Sequence, residues 1–476
     1  MFRFVLLLLS LCASFAAENH VILITIDGFP GRMLTNSHAL LPNIRALAAE
    51  GASSTAMKVS NPSVTWPNHT TLVTGVNPRK HSVLFNGVLV RGGAAKAPVS
   101  TNASGVDPLI RKYDPDSPAQ AQAVGTVRID PNVTAAQLVA VPTLFDIFHN
   151  AGLTTAGVNW PCTRSSKSLD DDFPDSPNAL DFTTPRLREN LVAEKILASP
   201  LQKDFASIGQ PQRDEIWTQT ASYLIRNRMP VFMAFHLLNT DSTHHKYGPE
   251  TMASFTALAM ADRFVGDIVA ALKTANLRDK TTIFITADHG FASATNVLQP
   301  NVVLREAGLL QTSSLHQIVN ARVQCVSEGG SGLIYLNNPA TREEDRKKVI
   351  ELFSNREGVA DLIGPDRFEQ LGMPPSGSGG MGDFILRPKL GYAVSGSASG
   401  TNFVAEVTPT MSAGYHGYIS EEPLMNAVFV ASGRGVKKGV VLEKLRNIDV
   451  APTIARLLGQ KIPDPDGRVL TEILGE

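Results

Sequence analysis

An α/β fold, with helices on both faces of a mainly parallel sheet, is what this sequence predicts, and three observations carry the prediction. Four runs read as continuously apolar: Val21 to Ile26, Val231 to Leu238, Thr282 to Thr286 and Ala427 to Ala431. Strands of a parallel sheet buried on both faces have that pattern. Helical patterns lie between the runs, so strand and helix alternate along the chain. Polar residues of a few kinds stand just past the ends of the runs, where such a sheet presents its ligand-binding edge.

The helices carry their own end signals. Asn43 to Glu50 stops at Gly51, and Thr143-x-x-Asp146 is a capping box that opens Leu144 to Asn150. Glu250 to Thr274 is the longest helical stretch, and Val450 to Leu458 stops at Gly459. Two regions break the alternation. One, near 89–141, is rich in Ala, Pro, Ser and Gly; the other, near 301–382, closes with Ser376-Gly377-Ser378-Gly379-Gly380. Both are expected to be insertions that wall or cap a site within a single catalytic domain over residues 17–476. No internal repeat is visible.

Met1-Phe2-Arg3, the apolar run Phe4 to Leu11 and the small residues Ser14 and Ala16 have the layout of a secretory signal peptide over residues 1–16, cleaved after Ala16. The run is too short to span a membrane, and no later segment is long and apolar enough to do so. An exported protein, periplasmic or secreted, is therefore expected; an N-terminal anchor is the alternative. Leu11 argues against a lipoprotein signal at Cys12. Cleavage leaves Cys162 and Cys325, which are not in a zinc-type Cys-x-x-Cys spacing and leave the question of a single disulfide open. With 43 Lys plus Arg against 44 Asp plus Glu and no long basic run, the chain lacks the electrostatic footprint of a binder of polymeric nucleic acid. A small-molecule substrate is expected instead.

Asp27 follows the first run directly and precedes Gly28. Asp241 stands just past Leu238, with His245 four residues on. Asp288 and His289 follow the third run, and His416 lies in the loop Gly414-Tyr415-His416-Gly417-Tyr418. A single Asp after a strand is most often a turn former. Three Asp and three His at one edge are a candidate metal site, and mixed oxygen and nitrogen donors suit zinc, whereas calcium or magnesium prefers oxygen alone. The segment Thr65 to Gly75 reads as a helix, with Asn68 as a plain capping residue. A hydroxyl at a helix N-terminus is also placed to attack an anionic phosphate, provided a metal lowers its pKa.

Taken together, these segments resemble the nucleotide pyrophosphatase/phosphodiesterase group of the alkaline phosphatase superfamily. The matching stretches are Ile24 to Phe29, Thr65-Trp66-Pro67-Asn68-His69, Asp241 to Pro249, Ala287-Asp288-His289-Gly290 and Tyr415-His416-Gly417-Tyr418. The resemblance implies an alkaline phosphatase-like three-layer sandwich and two zinc ions per chain, one held by Asp27, Thr65, Asp288 and His289, the other by Asp241, His245 and His416. It implies hydrolysis of small phosphate diesters by double in-line displacement through a phosphothreonine at Thr65. Asn86, in an Asn-Gly turn, matches the family's asparagine that hydrogen-bonds a phosphoryl oxygen. Trp66 matches the aromatic residue on which a base stacks, and His236 occupies the place of the family's second stacking residue, commonly a tyrosine. Thr240 replaces a common proline. The same spacing leaves His244 outside the ligand set and His69 structural.

No lysine or arginine is evident for a dianionic monoester, which favours diesters. A phosphonoacetate-type phosphonate hydrolase of the same superfamily is the alternative enzyme, and a non-catalytic exported metal-binding protein the alternative of another class. A sulfatase is disfavoured, because Thr65-x-Pro67-x-His69 lacks the Cys or Ser and the Arg its maturation requires.

Overall fold

The strand His20–Ile26 lies inside the central sheet of the computed structural model, which describes residues 19–91, 126–175, 179–198, 205–408 and 411–475. The expected signal peptide and residues 92–125 of the 89–141 stretch fall outside the described residues. His20–Ile26 pairs in parallel with Phe232–Leu237 on one side and Thr281–Thr286 on the other, so that Ile24 faces Phe235 and Ile285. All residues of the three strands except His20 are buried. Burial on both faces is why these runs are apolar without alternation.

The sheet extends from Phe232–Leu237 through Thr155–Val158 to Asp171–Phe173, both added in parallel. On the other flank, Ala427–Gly433 runs antiparallel to both Thr281–Thr286 and Ala52–Lys58. The expectation of a parallel strand at Ala427 to Ala431 is therefore corrected, although the sheet remains mainly parallel. A continuous apolar run reports burial on two faces, and strand direction is set by the connection. Ala52–Lys58 escapes sequence reading because its residues, Ala-Ser-Ser-Thr-Ala-Met-Lys, are small or polar apart from Met57.

The helices Pro42–Glu50, Gln210–Asn227, Asn239–Tyr247 and Met252–Thr274 pack together as one group, and Thr65–Thr74, Leu144–Asn150 and Val450–Leu457 form another. With the sheet they make the three-layer arrangement. The capping box is present: the Thr143 N–H donates to Asp146 Oδ2 at 2.8 Å and the Asp146 N–H donates to Thr143 Oγ1 at 3.3 Å. The long helix starts at Met252 and not at Glu250, because Glu250 has φ +64° and Thr251 caps by accepting the Ser254 N–H at 3.2 Å.

Residues 301–382 contribute to a separate four-stranded antiparallel sheet, ordered Val323–Ser327, Gly332–Leu336, Phe384–Pro388, Val359–Ile363, with the helix Arg342–Phe353 beside it. Cys325 is buried there as a free thiol, and Cys162 is likewise free, so no disulfide joins them. Among the described residues no helix is long and apolar enough to cross a membrane.

Gly51 and Gly459 end their helices for different reasons. Gly459 has φ +70°, the left-handed ending, with open space around it. Gly51 has φ −144°, and a Cβ there would meet the carbonyl oxygen of Ala431 at 2.0 Å. Gly51→Ala should therefore lower stability by about 2 to 3 kcal/mol through overpacking against the sheet, and Gly459→Ala by about 1 kcal/mol through backbone strain. Chemical denaturation of both variants checks the order; equal losses would show that the Ala427–Gly433 strand gives way.

Candidate functional site

Three adjacent parallel strands deliver the predicted residues to one edge. Asp27 continues His20–Ile26, Asp288 and His289 continue Thr281–Thr286, and Asp241 sits in the first turn of Asn239–Tyr247, the helix that follows Phe232–Leu237. His289 Nε2 lies 3.4 Å from Asp27 Oδ1 and 3.1 Å from Asp288 Oδ2. On the helix, Asp241 and His245 share a face at i, i+4 spacing, with His245 Nε2 3.4 Å from Asp241 Oδ1. His416 Nε2 reaches the same oxygen at 3.6 Å, and its ring stacks on His289 at 3.7 Å. Ligating atoms of Asp27, Asp288 and His289 lie within 4.8 Å of one another, as do those of Asp241, His289 and His416. All six predicted Asp and His ligands thus form one continuous cluster, with His289 between its halves.

This cluster is chemically incomplete by itself. Both carboxylate oxygens of Asp27, Oδ1 of Asp241, Oδ2 of Asp288 and Nε2 of His289 are buried without a hydrogen-bond partner, a costly condition for polar atoms. Burial first, then the neighbouring charges of Asp288 and Asp241, pushes the Asp27 carboxyl well above the usual carboxylate range. Burial pushes Asp241 up to about 6, with His245 opposing and Asp288 adding to the shift. Burial also drives the imidazoles of His289 and His416 well below their ordinary value, so both are neutral. Crowded carboxylates beside neutral imidazoles form a donor set that a divalent cation satisfies.

The tautomers agree. Nδ1 of His289 faces Gly290 O at 3.1 Å, Nδ1 of His245 faces Gly414 O at 3.0 Å and Nδ1 of His416 faces Ser63 O at 3.0 Å. A carbonyl only accepts, so each Nδ1 carries the proton and each Nε2 turns a lone pair into the cluster. His244 differs, because its Nδ1 bonds Gly28 O at 3.1 Å and its Nε2 bonds Ser254 Oγ at 2.7 Å, leaving neither nitrogen for a metal.

Thr65 begins the helix Thr65–Thr74 after Val64, which supplies no side-chain cap. Asn68 does not cap either: its Oδ1 accepts the Ser60 N–H at 2.8 Å and its Nδ2 donates to Pro62 O and Val64 O at 2.9 Å, stapling the entry loop. The Thr65 carbonyl accepts from His69 Nδ1 at 2.9 Å, and His69 Nδ1 is 3.7 Å from Asp288 Oδ2. Asn86 Oδ1 accepts the Trp66 N–H at 2.9 Å. Because that donor requires an oxygen, the exposed Asn86 side chain turns its NH₂ outward.

Two expected substrate contacts are placed elsewhere. His236 is 1% exposed, with Nδ1 3.0 Å from Thr25 Oγ1 and Nε2 3.3 Å from Asp27 Oδ2. It lies under the carboxylates, where no base can stack, because its strand position pairs it with Thr25 inside the sheet. Trp66 is 8% exposed and clustered with Val83, Val133 and Leu138, and its indole N–H donates to Asp175 Oδ2 at 3.0 Å. Among the described residues its ring packs beneath the neighbouring segments. Sequence reading missed Asp175, since nothing distinguishes it within the acidic stretch Asp170 to Asp175.

Burial raises the Asp175 carboxyl to about 6, while the Trp66 N–H, Arg164 and Arg213 oppose that shift. With a folded pKa above the ordinary 3.8, the group as a whole contributes less stability as pH rises through about 6. The indole bond itself favours the ionised form, so its contribution is present above about 6 and lost below. Trp66→Phe keeps an aromatic ring but removes the donor together with part of the packing; the packing cost is the same at any pH, so the loss should be about 1.5 to 3 kcal/mol larger at pH 8 than at pH 5. Denaturation at the two pH values checks this, and a pH-independent loss would count against the bond.

A sequence profile of the type I phosphodiesterase/nucleotide pyrophosphatase family matches residues 21–419. Ectonucleotide pyrophosphatase/phosphodiesterase family member 3 of Rattus norvegicus is 23% identical over 92% of this chain and 42% of its own length. Member 1 of Homo sapiens is 24% identical over 92% of this chain and 40% of its own. The venom phosphodiesterase of Crotalus durissus collilineatus is 25% identical over 59% of this chain and 27% of its own. The chain therefore spans less than half the length of these relatives. Among solved structures, human ectonucleotide pyrophosphatase/phosphodiesterase 5 superposes with a TM-score of 0.68 at 15% identity, covering 96% of this chain and 100% of that one. An inactive variant of the murine protein in complex with AMP superposes at 0.65 and 14% identity, with the same coverage. On the family match and the shared fold, the chain belongs to the type I phosphodiesterase/nucleotide pyrophosphatase family, with an alkaline phosphatase-like architecture.

Proposed function

We propose that this chain is an exported hydrolase of small phosphate diesters and nucleotide-like substrates, using Thr65 as nucleophile at a two-zinc site. The observation that carries the reading is the set of buried carboxylate oxygens, with Nε2 of His289, that have no partner and turn toward one another close to a helix that begins with a hydroxyl. Asp27, Thr65, Asp288 and His289 would hold one zinc, and Asp241, His245 and His416 the other. Zinc bound there supplies Lewis acidity, lowering the pKa of the Thr65 hydroxyl and neutralising charge on the phosphoryl group. The domain is read as residues 17–476, with the stretches near 89–141 and 301–382 inserted into it.

Thr65 Oγ1 attacks phosphorus in line with the leaving oxygen, giving a phosphothreonine that water then hydrolyses. Few backbone donors remain for the non-bridging oxygens. The Trp66 N–H is taken by Asn86, Pro67 has none and the Asn68 N–H bonds Val64 O at 3.2 Å. The Thr65 N–H and the outward Asn86 Nδ2 are left to serve. Among the described residues no lysine or arginine pairs with Asp27, Asp241 or Asp288. A singly charged diester suits such a site better than a dianionic monoester.

Thr65→Ala should lower kcat at least about a thousandfold, and Asn86→Ala about a hundred- to a thousandfold, as loss of a donor to a developing oxyanion does. Steady-state rates with folding verified by circular dichroism check both; near-normal turnover of Thr65→Ala would assign the attack to another group. Elemental analysis should find two zinc ions per chain, and a panel of aryl diesters, dinucleotides, nucleoside triphosphates, phosphonoacetate and aryl monoesters should show diesters or nucleotides well ahead. Higher kcat/KM on phosphonoacetate or on monoesters would overturn the substrate reading.

A further inference from the structure

The helix that presents Asp241 and His245 begins without a cap of its own. Only Leu238 separates the strand Phe232–Leu237 from the helix Asn239–Tyr247, and a leucine has no side-chain atom to accept the N–H groups that a helix start leaves open. The acceptor comes from another element. Asp214, near the start of the helix Gln210–Asn227, takes the Leu238 N–H on Oδ1 and the Asn239 N–H on Oδ2, both at 3.0 Å. Its side chain is buried, with 2% of the residue exposed. Burial pushes the carboxyl up to about 7 even though both N–H groups and Arg213 favour its ionised form.

Asp241 follows two residues after Asn239, and its Oδ1 has no hydrogen-bond partner. Its place relative to His416 is therefore inherited from the helix start that Asp214 holds. The other half of the cluster touches the same helix through His244 Nδ1 and Gly28 O, at 3.1 Å, but is held by the central sheet as well. Asp27 continues a central strand, its N–H donating to Leu237 O at 2.8 Å, and Asp288 Oδ1 accepts the Gly28 N–H at 3.1 Å.

We propose that Asp214 is a positioning residue for the second metal: it touches neither metal nor substrate, but by capping the helix from outside it sets the affinity of the Asp241, His245 and His416 half for zinc. The inference rests on the two-zinc reading above.

The test titrates zinc alone into the metal-free protein, wild type, Asp214→Asn and Asp214→Ala, against a chelator of known affinity, with cobalt(II) spectra as a second readout. Asparagine keeps the volume but has one acceptor oxygen, so it serves one N–H group and faces the other with a donor. One zinc should bind each variant as it binds wild type, while the second binds about 10- to 100-fold more weakly, as expected when a group supporting a ligand is altered. Turnover of the variants should fall at limiting zinc and recover in excess, with KM little changed. Leu224→Ala, a fully buried change on the same helix, serves as a stability control and should keep both zinc affinities. Wild-type zinc affinities in both Asp214 variants, or the same selective loss in Leu224→Ala, would overturn the proposal. Fewer than two zinc ions on wild type would instead overturn the two-zinc reading, and this inference with it.

Discussion

Mutual repulsion among buried carboxylates is the constraint around which this molecule is arranged. Asp27 and Asp288 are fully buried, and Asp241, on the adjacent helix, turns an enclosed oxygen toward them. Their oxygens lack partners that would offset the loss of hydration. Such a group of charges pulls apart unless the backbone beneath it is stiffer than the repulsion. Here the backbone is the interior of a sheet whose two central residues of support, Ile24 and Ile285, are packed on both faces. The cluster remains poised for a cation because its scaffold cannot relax around it.

The loops that complete the cluster are tied to that scaffold by main-chain contacts. Ser63 O accepts both His416 Nδ1 and the Gly417 N–H, each at 3.0 Å, so the segment before Thr65 and the loop bearing the last histidine are one unit. Gly417 has φ +84°, and a Cβ there would meet Glu328 O at 1.7 Å. No other residue fits between these two backbones. Gly330 donates to His416 O at 2.6 Å from the same side, so the small antiparallel sheet holds His416 in place. A part of the chain that looks peripheral in sequence thereby supports a residue of the cluster.

What could be read in advance follows from how local each signal is. Asp27, Asp241, Asp288 and His289 were legible because a polar residue ends an apolar run, and both features lie within a few positions of one another. His245 was legible through helical spacing, and His416 through its glycine flanks and the resemblance. The roles of His236 and Trp66 were not, since whether a ring packs inward depends on partners such as Thr25 and Asp175, 211 and 109 positions away. The direction of Ala427–Gly433 was hidden for a related reason: two-sided burial erases the alternation that would reveal pairing. Asp214 is 24 and 25 residues from the N–H groups it caps, and no sequence rule for helix starts looks that far.

The division between rigid and variable parts follows the same line. The atoms that would bind metal are carried on strands, on a helix capped from outside and on loops locked by backbone carbonyls. Asn86 and Trp66 are held by lesser clusters: Asn86 follows Phe85, which packs with Leu84, Met373 and Ile385, and Trp66 packs with Val83, Val133 and Leu138. Those clusters share no residue with the core of the central sheet, although the first draws Leu333, Tyr335 and Ile385 from the small antiparallel sheet. The candidate metal ligands thus depend on the central sheet and the loops tied to it, whereas Asn86 and Trp66 sit on packing outside its core. With His236 spent beneath the carboxylates and Trp66 spent on Asp175, this chain has used in its interior two rings that the family resemblance assigns to the nucleobase.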